Sequence, residues 1–285
     1  MVELRSGAMR CEIAPGLGGS VAGLWRGDEP VLRSTAAAAL TSSRLAGCYP
    51  LVPFSNRVAQ AKIEWQGTLY PLVRNAGEEP HAIHGIGWQR PWEVLEQSDA
   101  MAMLSYEHRP DAAWPFAFDA SQTFLLRGNA LECTLALTNQ SPQPAPAGLG
   151  WHPYFPKREG SRIDFAATGR WEMGPDKLPT ELKPSAGMHE ADCNALDVDH
   201  CYEGWAGAAT LHDGRLRVRL HSDLTRLVVF TNASRPYIAI EPVSHVNNAI
   251  NLAAAGARSE SLGLRTLAPG ESMIATMTIE VEAAS

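Results

Sequence analysis

Leu131-Glu132-Cys133-Thr134-Leu135-Ala136-Leu137 carries an apolar side chain at every odd position, with Glu, Thr and Ala between them. Successive side chains of a strand point to opposite faces, so the odd positions face a core and the even ones face away from it. The pattern returns near the C-terminus, where Met273, Ala275, Met277, Ile279 and Val281 share one face and Thr276, Thr278 and Glu280 the other. Arg215-Leu216-Arg217-Val218-Arg219-Leu220 repeats it. Leu227-Val228-Val229-Phe230 reads as a more deeply buried strand, and residues 63–70 as a hairpin turning at Gln66-Gly67. Half-buried strands in series make an antiparallel protein.

Helical periodicity is scarce. Ala-rich residues 36–45 and 249–257 are the two places where a short helix is expected. A parallel sheet needs a crossover of a dozen or so residues between most strands, and this chain does not supply them. The 24 glycines and 20 prolines then act as turn punctuation. Residues 139–146 form a short loop and residues 174–187 a surface excursion, but no linker or fixed-period repeat divides the chain. The expectation is an all-β fold, a single large antiparallel β-sandwich domain over residues 1–285.

Composition excludes several classes. With 31 acidic against 24 basic residues and a net charge of -7, the chain lacks the basic surface that nucleic-acid phosphates require. No run approaches the ~18 apolar residues of a membrane span. The cysteines, Cys11, Cys48, Cys133, Cys193 and Cys201, form no C-x-x-C pair and read as buried free thiols. The first ten residues show no charged start followed by an apolar run. A cytoplasmic protein is expected.

Titratable side chains concentrate in a few short segments: Pro53-Phe54-Ser55-Asn56-Arg57, residues 81–88, residues 148–155, Tyr237-Ile238-Ala239-Ile240-Glu241-Pro242 and, more weakly, residues 197–202. Each has a plain alternative. Arg57 alone reads as an ion-paired arginine, and His152 among aromatics as a hydrogen-bonded structural histidine. Glu241 ends an apolar strand, so it faces either a solvated surface or a polar pocket. His81 and His84 offer two zinc ligands at i, i+3, but their Gly-rich run has no carboxylate between them, and no metal is expected. There is no G-x-S-x-G elbow and no Gly-rich phosphate loop opening a helix. Trp65, Trp88, Trp92, Trp114, Trp151 and Trp205 read mainly as core, with one or two able to stack on a sugar.

In their order, these segments resemble the aldose 1-epimerase (galactose mutarotase) family. The match rests on Asn56-Arg57, His84-Gly85, Gly150-x-His152-Pro153-Tyr154-Phe155, Asp199-His200-Cys201-Tyr202, Glu241-Pro242 followed by Asn248-Ala249-Ile250-Asn251, and Leu267-Ala268-Pro269-Gly270-Glu271. It spans roughly residues 10–280. The resemblance implies an oversized β-sandwich with an open sugar cleft, no cofactor, no metal, and a small-molecule sugar as partner to a monomer or homodimer. It implies His152 as general acid, Glu241 as general base, and Arg57, His84 and Asp199 as ligands of the sugar hydroxyls, with Asp197 the alternative to Asp199. Ring opening at C1 needs a base on the C1 hydroxyl and an acid on the ring oxygen. An ionised Glu241 beside a protonated His152 is therefore expected, in surroundings that lower the first pKa and raise the second. Two other readings stand beside this one. A hexose-6-phosphate 1-epimerase would need a basic pocket, from Arg74 or Arg90, and a non-catalytic carbohydrate-binding protein would use the same scaffold. Residues 243–247 match no galactose-specific pattern, which leaves the sugar open.

Overall fold

The protein is described by a computed structural model over residues 1–284. Its largest sheet has nine antiparallel strands in the order Glu93–Gln97, Met101–His108, Phe118–Arg127, Ala130–Asn139, Ser272–Ala283, Leu216–Ser222, Ala208–His212, Arg162–Ala166 and Gly187–Asp192. The alternating stretch lies at its centre. Leu131 pairs with Ile279 and Leu135 with Ala275, and the odd residues 131–139 and 273–281 are buried. Burying a leucine contributes about 1.5–3 kcal/mol, and a slip of one residue would turn each of these side chains to the wrong face. Register here is fixed by burial.

A second, eight-stranded sheet is built differently. Its main path runs Pro179–Pro184, Gly169–Met173, Val198–Glu203, Arg226–Thr231, Tyr237–Val243, Gly150–Trp151 and Pro50–Leu51, and Tyr154–Pro156 also pairs with Tyr237–Val243. Its central strands are buried almost continuously, as Leu227-Val228-Val229 suggested. A four-stranded N-terminal sheet, Val2–Ser6, Met9–Ala14, Ser20–Arg26 and Glu29–Pro30, completes the larger β-structure. One continuous hydrophobic cluster runs from Val2 to Val281.

The hairpin at Gln66-Gly67 joins Lys62–Trp65 to Thr68–Pro71, with both turn residues at positive φ. The two Ala-rich stretches part company. Ala249–Ala254 is helical. Residues 36–45 instead form turns and one 3-10 turn, Ser43–Leu45. Ala36, Ala37, Ala38 and Ala39 are exposed and bury no face, and a short segment without tertiary packing does not sustain a helix. Residues 174–187 are more ordered than a surface excursion. Much of that stretch is the tip and outer strand of a hairpin, Gly169–Met173 with Pro179–Pro184, that extends the edge of the eight-stranded sheet. All five cysteines are buried and unpaired. Among the described residues, no helix is long and apolar enough to cross a membrane.

Candidate active site

The strand Tyr237–Val243 organises the site. Gly150 pairs with Val243, and Tyr154 pairs with Ala239. Between these two pairings the neighbouring strand is interrupted at His152-Pro153, and the antiparallel register sets His152 directly opposite Glu241. The outward side of the interruption is held by His152 N–H donating to Tyr49 C=O at 3.0 Å. His152 Nε2 lies 3.2 Å from Glu241 Oε1 and 3.3 Å from Tyr154 Oη. The imidazole is stacked on Tyr154 at 4.3 Å and tilted against Tyr49 at 4.8 Å. His152 Nδ1 and Glu241 Oε2 have no partner among the described residues.

Burial pushes the Glu241 carboxyl well above the usual carboxylate range. Nearby Asp199 adds to the rise, and Arg57 offsets part of it. Burial likewise pushes the His152 imidazole well below its usual range, assisted by the positive charges of Arg33 and Arg44. These directions reverse the sequence expectation. The reason is that Glu241 is only 2% exposed and His152 5%, and burial penalises the charged form of each. The neutral pair and the ion pair hold the same single proton, so the reversal concerns where the proton rests and not how many the pair carries.

The other named residues reach the same cavity of about 570 Å³. Arg57 opens the short strand Arg57–Val58, which pairs with Ala82–Ile83. Asn56 and His84 flank this pairing, and both have positive φ. They hold each other: His84 N–H donates to Asn56 C=O at 2.8 Å, and Asn56 N–H donates to His84 Nδ1 at 3.1 Å. With Nδ1 accepting, a neutral His84 carries its proton on Nε2. Burial, then the charges of His152, Arg57 and Arg44, lower its pKa well below the ordinary value. The following Gly85 has φ +68°, and a Cβ there would lie 2.1 Å from Val52 O. Only glycine fits.

Arg57 is held between two carboxylates, Glu79 at 3.3 Å and Asp199 at 3.6 Å. Asp199 shares a sheet face with Phe230 and Glu241 through the pairings Asp199–Phe230 and Val228–Glu241. Asp197 precedes that strand and is exposed; Asp199, not Asp197, lines the cavity. The structure thus brings together Arg57, His84, His152, Asp199 and Glu241. It separates Arg74 and Arg90, which line a different cavity. His81 and His84 do not converge on a shared ligand. His81 Nδ1 accepts from Gln60 N–H at 3.0 Å, and its Nε2 lies 3.0 Å from Asp176 O. Among the described residues, no group of three or more His, Cys, Asp or Glu side chains is placed to hold a metal.

Sequence reasoning missed Arg33, Arg44, Tyr49, Glu79 and Arg235, which also line the cavity. No local pattern marks them, because they come from loops and strand ends far apart in the chain. The unmatched residues 243–247 prove to be support. His245 Nε2 accepts from Ser55 N–H at 3.1 Å, Ser244 Oγ accepts from Leu149 N–H at 3.0 Å, and Arg226 donates to Ser244 C=O at 3.1 Å. They tie the loop carrying Asn56 to the one leading into His152. Burial lowers the His245 pKa to about 4, keeping this support neutral.

The sequence model of the aldose 1-epimerases matches residues 1–280. The chain belongs to the aldose 1-epimerase family. Within reach of that family it is 32% identical over 298 residues to YphB of Escherichia coli K12, a protein described as uncharacterized, with 98% of each chain covered. It superposes on the crystal structure of a candidate aldose 1-epimerase from Escherichia coli K12 with a TM-score of 0.89, at 30% identity, covering 99% of this chain and 98% of that one. The fold also matches galactose 1-epimerase from Lactobacillus acidophilus at a TM-score of 0.81 and 16% identity, covering 99% and 94%. The antiparallel β architecture is that of the galactose mutarotase-like proteins, and family membership implies an epimerase.

Proposed function

We propose that the protein is a mutarotase that interconverts the α and β anomers of a free aldose by acid–base ring opening and closure, without a cofactor. The observation that carries this reading is the 3.2 Å contact between His152 Nε2 and Glu241 Oε1 inside the cavity. The C1 hydroxyl and the ring oxygen are bonded to the same carbon, so two groups a hydrogen-bond length apart can address both. Glu241 takes the proton of the C1 hydroxyl while His152 gives one to the ring oxygen, and the C1–O5 bond breaks to a free aldehyde. Rotation about C1–C2 and closure with the roles reversed give the other anomer.

The step begins once the proton of the neutral pair passes from Glu241 Oε1 to His152 Nε2, 3.2 Å away. Opening turns a Glu241 carboxylate and a protonated His152 into a neutral acid and a neutral imidazole, the form that burial prefers. Sugar hydroxyls would supply partners to His152 Nδ1 and Glu241 Oε2. Arg57 and Asp199 suit vicinal hydroxyls, and His84 offers its Nε2–H from a ring that its neighbours hold neutral. A non-catalytic sugar-binding protein would have no need of an acid and a base in contact. The five unpaired buried thiols support a reducing compartment, and we assign the activity to the cytoplasm.

Polarimetry on freshly dissolved α-anomers of several aldoses, after subtraction of spontaneous mutarotation, tests the proposal. Glu241→Gln and His152→Asn should each abolish most of the acceleration. Wild-type rates in both variants would sink it.

A further inference from the structure

His84 is held in its backbone conformation from two directions. Its φ is +61°, in the left-handed region, where a residue other than glycine stays only when its surroundings fix it. Asn56 binds it on one side, through backbone and ring. On the other stands Asn75, a half-buried residue in the irregular segment after the strand Thr68–Pro71. Asn75 does not line the cavity of His152 and Glu241 but the one beside Arg74 and Arg90. Its Oδ1 accepts from Ile83 N–H at 2.9 Å. Its Nδ2 donates to Ile83 C=O at 2.8 Å and, past His84, to Gly85 C=O at 2.9 Å. The acceptor and the donors of the carboxamide are thus spent on the two residues that flank His84.

These bonds stand in for a missing strand. Arg57–Val58 and Ala82–Ile83 form a sheet of two strands only, with Ile83 opposite Arg57. The N–H and C=O of Ile83 both turn to Asn75, whose carboxamide offers a donor and an acceptor as a peptide group would. The second N–H then fixes the carbonyl beyond His84, which Trp88 Nε1 also holds at 3.1 Å. With the carbonyls before and after it pinned, His84 cannot relax to negative φ without breaking these bonds. Such a relaxation would swing its Cβ and carry the imidazole away from the cavity wall. We propose that Asn75 is a positioning residue for the reaction, keeping His84 in the conformation that presents Nε2–H to a sugar hydroxyl without touching the sugar itself. The part played by His84 rests on the mutarotase reading; the hold of Asn75 on His84 does not.

Asn75 and His84 should then behave as one unit in a double-mutant cycle. Asn75→Ala should lower kcat/KM for mutarotation about 30- to 100-fold in polarimetry, the loss that a misplaced binding group brings. His84→Asn, chosen because asparagine tolerates positive φ, should lower it by a similar factor. In the His84→Asn background, Asn75→Ala should change the rate by no more than about threefold. A role confined to folding would leave the two losses multiplicative. If Asn75→Ala fails to fold, Asn75→Asp takes its place, since it keeps the shape and the acceptor for Ile83 N–H and loses both donors. NMR of the histidine ring nitrogens, assigned with the help of His84→Asn, reads the same hold without any activity. Wild-type His84 should show a protonated Nε2 and a hydrogen-bonded Nδ1, and the Asn75 variant a mixture of tautomers. Wild-type rates in the Asn75 variant, losses that multiply, or unchanged His84 signals would each overturn the proposal. A protein whose His84 signals respond to Asn75 but which does not accelerate mutarotation would defeat the acid–base reading alone.

Discussion

The nine-stranded sheet and the cavity wall obey opposite rules. In Ala130–Asn139 and Ser272–Ala283, burial alternates residue by residue, and the buried positions are almost all apolar. Behind the cavity, Tyr237–Val243 is buried almost continuously, Glu241 included, and the buried residues around it include His84, His152, His245 and Asn247. The backbone there takes positive φ at the non-glycine residues Asn56, His84 and Asn248, and the central strand's neighbour is broken at His152-Pro153. A scaffold of satisfied apolar pairs can carry a wall of desolvated, titratable groups that on their own destabilise it. The difference separates the part that holds from the part that reacts.

Substitutions on the two sides should therefore fail in different ways. The largest effect belongs to Glu241→Gln, which should lower kcat/KM for mutarotation about 10³-fold in polarimetry while leaving the melting temperature at or above that of the wild type. A large loss of stability in this variant would break the division. Leu135→Ala, at a fully buried position of the nine-stranded sheet, should cost about 2–5 kcal/mol in urea unfolding, with activity per folded molecule unchanged. Gly85→Ala lies on the border. Its positive φ and the Val52 carbonyl against the new Cβ should cost about 1–3 kcal/mol and also reduce activity, because His84 shifts with it.

The pH profile sharpens the comparison further. The active pair holds one proton, so kcat/KM should be bell-shaped and belong to the pair as a unit. On the acid side a second proton enters at the imidazole, whose pKa burial has lowered, so that limb should lie below the ordinary histidine value of 6.5. On the basic side the last proton leaves the carboxyl, whose pKa burial has raised, so that limb should lie above the ordinary 4.5. Each limb should fall about tenfold per pH unit. An acid limb above 6.5 would contradict the assignment. The smallest effect is expected at Ile274, which is 62% exposed on the outer face. Ile274→Thr should change stability by no more than about 0.5 kcal/mol in the same unfolding assay.

The scaffold was legible because periodicity is a local property. Leu131 to Leu137 announce their face within seven residues, as do the strands around Leu216 and Met273. Residues 36–45 misled because alanine favours helix only where packing or length sustains it, and here four alanines face solvent. Arg57, His84, His152, Asp199 and Glu241 could be named because each sits in a short recognisable segment. Arg33, Arg44 and Arg235 could not, since an arginine in a loop has no signature until the wall it faces is known. The resting protonation of the pair is not legible in the sequence for a related reason. Residue types specify an acid and a base, whereas the depth of burial sets which of them keeps the proton.

By itself, the sequence determined the antiparallel β class, the free buried cysteines and the residues able to perform acid–base chemistry. These follow from side-chain alternation, thiol spacing and functional-group chemistry, all readable over a few residues. Only the tertiary structure decided that His152 stands opposite Glu241. That juxtaposition spans 89 positions of sequence and depends on Gly150–Val243 and Tyr154–Ala239 sharing one antiparallel register. The tertiary structure also gathered Arg33, Arg44, Arg57 and Arg235 on one cavity wall, because the fold, and not the residues beside it in sequence, sets the neighbours of a loop arginine.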